Sequence, residues 1–196
     1  MKSNLHAFID LETSGLDAAR YHIVEVGVAV FLGRQEIASY SELVNPGEEA
    51  ILKADPKAMA VNGILPADLK NARPMAVVAE TLQIFLRTHR GLIHAYNNEF
   101  EMSFLTRAPW NVAGPWGDCI QLAAREVMAE ANVLPLIYGK PKRPRLSEAA
   151  AFFGVPQFGR AHRSLSDARV AALIYAEILD RRRIDDEVSE LIEDGA

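Results

Sequence analysis

Apolar side chains fall on alternate positions from Leu5 to Glu12. Leu5, Ala7, Ile9 and Leu11 share one face of an extended segment and Phe8 lies on the other, the pattern of a buried strand. Thr13-Ser14-Gly15 closes it with a turn. Ile23–Leu32 is a second β-branched run and Glu36–Val44 a third, joined across Gly33-Arg34-Gln35 and ended by Asn45-Pro46-Gly47. Three consecutive antiparallel strands are expected. The period then becomes helical. A short helix is expected over Pro56–Val61, ended by Asn62-Gly63, with a turn at Pro66–Leu69. Pro74–Arg90 carries the helical stripe Val77, Val78, Leu82, Phe85 and Leu86. Leu92–Ala95 reads as a short strand, and Asn98–Arg107, Cys119–Ala131, Leu146–Phe153 and Ser164–Arg183 as helices. Residues 135–145, rich in proline, Lys and Arg, read as an extended basic loop. Strands followed by mixed helices and strands imply an α/β fold, a mixed central sheet flanked by helices. The expected organisation is one domain over residues 1–183 and a short acidic tail over 184–196.

Composition narrows the class. The 196 residues fit one domain, and 49% hydrophobic content suffices for its core. No apolar run approaches the ~20 residues of a membrane span, and the N-terminus moves straight into a strand pattern without a signal-peptide core. Cys119 is the one cysteine, so no intrachain disulfide forms. A cytoplasmic location without membrane attachment is the expectation. The net charge of −5 argues against a chain whose main task is to hold phosphate backbones with its own cations. It does not argue against an enzyme that meets phosphates through metal ions, where clustered carboxylates are required.

Three segments carry candidate chemistry. Asp10 and Glu12, two apart on a strand, project to one face. They stand at its C-terminal end, where open α/β sheets place ligands. A divalent cation between them would relieve their repulsion and lost solvation; two ordinary surface acids are the alternative for an isolated pair. His162 lies five residues before Asp167, so the two converge only if His162 is in the preceding loop and Asp167 in the first helical turn. Ser164-x-x-Asp167 also resembles a capping box, a structural reading of equal weight for Asp167 alone. In the third segment, Phe100, Phe104 and Leu105 form a core stripe with Glu101 beside it, facing either a cleft or solvent.

These segments occur in one order. Phe8-Ile9-Asp10-Leu11-Glu12-Thr13-Ser14-Gly15-Leu16, Phe100-Glu101-Met102-Ser103-Phe104-Leu105 and His162-Arg163-Ser164-Leu165-Ser166-Asp167-Ala168 resemble the three motifs of the DEDD exonuclease superfamily. The histidine before the last aspartate resembles its DEDDh branch, which includes proofreading subunits, ribonuclease T and oligoribonuclease. The resemblance implies a ribonuclease-H-like fold and 3′→5′ hydrolysis of single-stranded DNA or RNA to nucleoside 5′-monophosphates. It implies two divalent ions, Mg²⁺ or Mn²⁺, held by Asp10, Glu12, Glu101 and Asp167, with His162 as general base. Thr13, Gly15, Leu16, Asn97 and Phe100 correspond to positions that grip the terminal nucleotide, with Leu16 as an apolar wedge. The second motif departs from the family, supplying Glu101 where aspartate is usual, after Tyr96-Asn97-Asn98. That departure keeps two other readings open: a non-cutting module that binds nucleic acid or a protein, and a polymerase proofreading subunit. The oligomeric state is not readable, a homodimer being one option. DNA and RNA are not distinguished, because no reader of a 2′-hydroxyl is identifiable.

Overall fold

The computed structural model describes residues 5–159 and 162–194, so the first four residues and the last two of the expected tail lie outside it. Strands β1 (Leu5–Thr13), β2 (Ile23–Leu32) and β3 (Gln35–Asn45) are consecutive and antiparallel, as the alternation predicts. Three short helices follow, α1 (Glu48–Leu52), α2 (Pro56–Asn62) and α3 (Pro66–Asn71). Then come β4 (Arg73–Pro74), α4 (Met75–Thr88), β5 (Leu92–His94), α5 (Asn98–Leu105) and α6 (Ile120–Glu130). The strands β4 and β5 add in parallel to opposite edges, giving one sheet in the order β4-β3-β2-β1-β5.

The basic segment expected as a loop is instead a small hairpin, β6 (Leu136–Ile137) and β7 (Lys140–Pro141). Its Tyr138-Gly139 turn has both φ angles positive, 50° and 75°, the primed geometry that two-residue hairpins need. Helix α7 (Leu146–Phe153) matches its expected bounds, and α8 (Ser164–Asp194) runs on past Arg183. Ile184 to Asp194 contains no Gly or Pro to stop a helix, so loss of the apolar stripe is not loss of the helix.

Two hydrophobic layers enclose the sheet. Phe8, Ala29 and Phe31 pack against α6, α7 and α8 on one face. Ala7, Ile9, Leu11, Val26, Val28 and Val30 pack against α4 and α5 on the other. The alternation along β1 thus sorts its residues between two cores, and Asp10 and Glu12 share the α8 side with Phe8. A Cβ on Gly27 would overlap the backbone of Ser164 and Leu165. Only glycine lets the start of α8 lie directly on β2, and Gly27 is the register partner of Asp10.

Candidate active site

Strand β1 delivers Asp10 and Glu12 to one face, and its register shifts between Glu12 and Thr13, an irregularity directly beside the carboxylates. Helix α8, seated on Gly27, presents Asp167 from its first turn. His162 precedes that helix in the left-handed region, φ 60°, and its backbone N–H donates to Asp167 Oδ2 at 3.2 Å. This is the loop-then-helix arrangement that convergence requires. One ligand atom from each of Glu12, His162 and Asp167 lies within 4.8 Å of the others.

Glu101 arrives on α5. Asn98 fixes the start of that helix, accepting from Ala95 N at 2.8 Å and donating to Gly117 O at 2.9 Å. The helix turns Glu101 inward, where it is 4% exposed. Its Oε2 has no hydrogen-bond partner, and neither has the buried Oδ1 of Asn97. Glu101 is therefore turned into the fold and away from solvent.

The four carboxylates are in electrostatic distress. Burial, then Glu101, Glu12, Asp167 and Glu25, hold the Asp10 carboxyl well above the usual carboxylate range. Burial, with Asp167 and Glu25 adding to it, pushes Glu12 up to about 8 against the opposing pull of Arg163. Burial alone pushes Glu101 to about 8, and burial raises Asp167 despite the nearby His162. Clustered acids that resist ionising are suited to share a cation. An unpartnered buried oxygen on Glu101 is what a divalent ion or its bound water would satisfy. The donor set, oxygens with one imidazole, suits such an ion.

The spacing of the motifs does not reveal Glu25. It is 1% exposed and faces Glu12 across the β1–β2 ladder. Its carboxylate accepts from Arg163 Nε at 2.9 and 3.2 Å and from Nη2 at 2.6 Å. It also accepts from Ser164 N at 3.0 Å. The capping box that Ser164-x-x-Asp167 resembles does not form: Ser164 Oγ is buried without a partner, and Glu25 from the sheet takes the helix start instead. A lone acid inside the apolar run Ile23-Val24-Glu25-Val26 was the available signal, since an unpaired charge is not tolerated there.

The expected nucleotide-binding residues are spread around this cluster. Thr13 is buried and its hydroxyl donates to Gly15 O at 2.8 Å, which tightens the turn. A Cβ on Gly15 would overlap the ring of Tyr21. Leu16 projects from the turn, 80% exposed. Asn97 stands beside Glu101 at the start of α5, and Phe100 is half-buried with its ring 5.2 Å from that of Phe104. Asn62 ties α2 to the same turn, its Nδ2 donating to Thr13 O at 3.4 Å. Tyr96, which leads into the second motif, is buried, and its hydroxyl donates to Pro144 O at 2.9 Å. It packs rather than stacks on a base.

Comparison with known proteins shows the family and the fold. Residues 7–175 match the RNase_T exonuclease family. DNA polymerase III PolC-type of Thermotoga maritima is 28% identical over 177 residues, covering 88% of this chain and 12% of that protein. The 3′-5′ exonuclease DinG of Staphylococcus aureus is 26% identical over 168 residues, covering 85% of this chain and 17% of that protein. The chain therefore spans a small part of the curated relatives it matches. Among solved structures, E. coli exonuclease I with a dT13 oligonucleotide superposes with TM-score 0.74 at 17% identity, over 93% of this chain and 43% of that one. Exonuclease I of Methylocaldum szegediense gives 0.73 at 18%, over 91% and 41%. The fold is ribonuclease-H-like, and the chain belongs to the DEDD exonuclease family.

Proposed function

We propose that this chain is a metal-dependent 3′→5′ exonuclease that degrades single-stranded nucleic acid to nucleoside 5′-monophosphates. The observation that carries the reading is the convergence of Asp10, Glu12, Glu101 and Asp167, raised in pKa together. No Lys or Arg among the described residues forms an ion pair with any of the four. These side chains would hold two Mg²⁺ or Mn²⁺ ions, which would supply Lewis-acid polarisation of the phosphodiester and a more acidic bound water. His162, exposed and beside Glu12 and Asp167, takes the proton of the attacking water on a ring nitrogen. Leu16 offers its exposed side chain to the terminal base. The oligonucleotide in the E. coli exonuclease I structure supports a single-stranded substrate.

The test is gel analysis of 5′-labelled single-stranded DNA and RNA with Mg²⁺ or Mn²⁺. The expected result is a ladder shortening from the 3′ end, abolished by EDTA and by Asp10→Ala. Absence of cleavage on both substrates with both metals would remove the reading.

A further inference from the structure

The hairpin at residues 136–141 shows an arrangement that folding alone does not explain. Tyr138 at its tip is fully exposed, with Leu136 69% and Ile137 50% exposed beside it. Tyr138 also occupies the first position of a primed turn, at φ 50°, where Gly, Asn or Asp is favoured and a bulky side chain is strained. No packing compensates that strain. Residues 135–145, the hairpin and the stretch that follows it, carry Lys140, Lys142, Arg143 and Arg145 and no acid, on a chain of net charge −5.

The base of the hairpin is fixed beside the site. Pro144 O accepts from Tyr96 Oη at 2.9 Å and from Gln121 Nε2 at 3.1 Å. Arg143 pairs with Glu99 at 3.6 Å, on the exposed side of the helical turn whose buried side carries Glu101. Lys142 pairs with Glu148, which anchors the segment to α7.

We propose that the Tyr138 hairpin is an arm that grips single-stranded nucleic acid a few nucleotides upstream of the terminal one. Tyr138 stacks on a base while Lys140 and Arg143 run along the phosphates. Charge complementarity selects this occupant: a strand of phosphates suits a four-cation segment on an acidic chain, and an exposed aromatic between cations is how single strands are held without sequence preference. The inference rests on the exonuclease reading for the placement of the 3′ end. A protein contact at the tip is the competing occupant.

The experiment reads binding, not cleavage. Fluorescence anisotropy of 5′-fluorescein-labelled dT20 and dT4 is measured in EDTA, for the parent chain and for Tyr138→Ala, Tyr138→Trp and Lys140→Gln/Arg143→Gln. Expected for Tyr138→Ala is about tenfold weaker dT20 binding, the scale of one stacked base, with less than twofold loss on dT4, which does not reach the arm. Tyr138→Trp restores dT20 binding. The double glutamine variant reduces the slope of log Kd against log salt by about 1.4, roughly 0.7 per phosphate contact. Equal dT20 affinity in parent and Tyr138→Ala overturns the inference, as does an equal loss on both lengths. Unchanged dT20 affinity with a smaller sedimentation coefficient would make the tip a protein contact and overturn it too. The cleavage gel separates the two readings: length-dependent binding through Tyr138 without any cleavage would keep the arm and remove the enzyme.

Discussion

Strand β1 carries two buried polar groups of opposite character. Near its start, His6 Nδ1 lies 2.9 Å from His94 Nε2, and His94 Nδ1 lies 3.2 Å from Asp118 O. Tyr175 Oη donates to Asp118 Oδ2 at 3.3 Å. The rings pack together, His94 tilted against Tyr175 at 4.6 Å and stacked on Phe8 at 5.3 Å. The geometry fixes one tautomer chain, His6 donating to His94 and His94 donating to the carbonyl. Burial pushes His94 down to about 4, so the chain is neutral. Near the end of β1, Asp10 and Glu12 meet Glu101 and Asp167 with like charges and an unpartnered oxygen. One group satisfies its own hydrogen bonds; the other gathers like charges that a cation would offset. Size does not make this distinction. A concavity of about 980 Å³ lies at the opposite end of β1, lined by Ala7, Leu86, Leu92, Ile93 and Val112 among others. It carries no acid and none of the motif residues.

The contrast can be broken most sharply by neutralising each group. Asp10→Asn or Asp167→Asn should cut cleavage by at least about 10²–10³-fold. Calorimetry in EDTA should show the same variants stabilised by about 1 kcal/mol, roughly 2–4 °C for a chain this size. Added Mn²⁺ should raise the melting temperature of the parent and not that of Asp10→Asn. His94→Ala should move the other way, destabilising by about 3 kcal/mol through a cavity and orphaned partners. Destabilisation by Asp10→Asn would show the acids to be structural and end the comparison.

Glu25 tests the middle ground, a buried acid that is paired. Glu25→Gln should lower turnover about 10–100-fold, as losses of supporting contacts around metal sites do. It should destabilise by only about 1–2 kcal/mol, because Arg163 is 45% exposed and its charge is screened. Undiminished turnover would show that the His162 corner holds without it. The pH response sharpens the neutral side. His94 titrates at about 4 in the fold and near 6.5 when unfolded, so between those values the unfolded chain binds more protons. Stability is therefore lost as pH falls from about 6.5 to 4, and His94→Asn should flatten that part of the profile in denaturant titrations. The smallest effect is expected for Glu101→Asp, which should keep or raise turnover in the gel assay. Complete loss would show a site built around the longer side chain.

Much of this was legible from the sequence because alternation and spacing are local properties. The β1 pattern sorted Phe8 from Ala7, Ile9 and Leu11, and the five-residue gap required His162 to sit outside the helix that carries Asp167. What escaped depended on partners distant in the chain. Glu25 gains its meaning from Arg163, which no periodicity brings together. Asp167 lost its capping partner because the sheet, not Ser164, meets the start of α8. Whether Glu101 turns into the fold or to solvent was decided by how Asn98 sets the phase of α5. The hairpin hid behind its prolines and behind Tyr138, which stands where Gly, Asn or Asp would have signalled the turn.

Gly27 works as a gauge. Its single hydrogen sets how far the third motif stands from the first, since any larger residue would lift α8 away from the strand that carries Asp10. The clearance of the carboxylate cage is thus machined by the packing of helix on sheet before any substrate arrives. A position with no functional group at all specifies the tolerance of the site, and Gly27→Ala would spoil it while leaving every acid and the histidine in place.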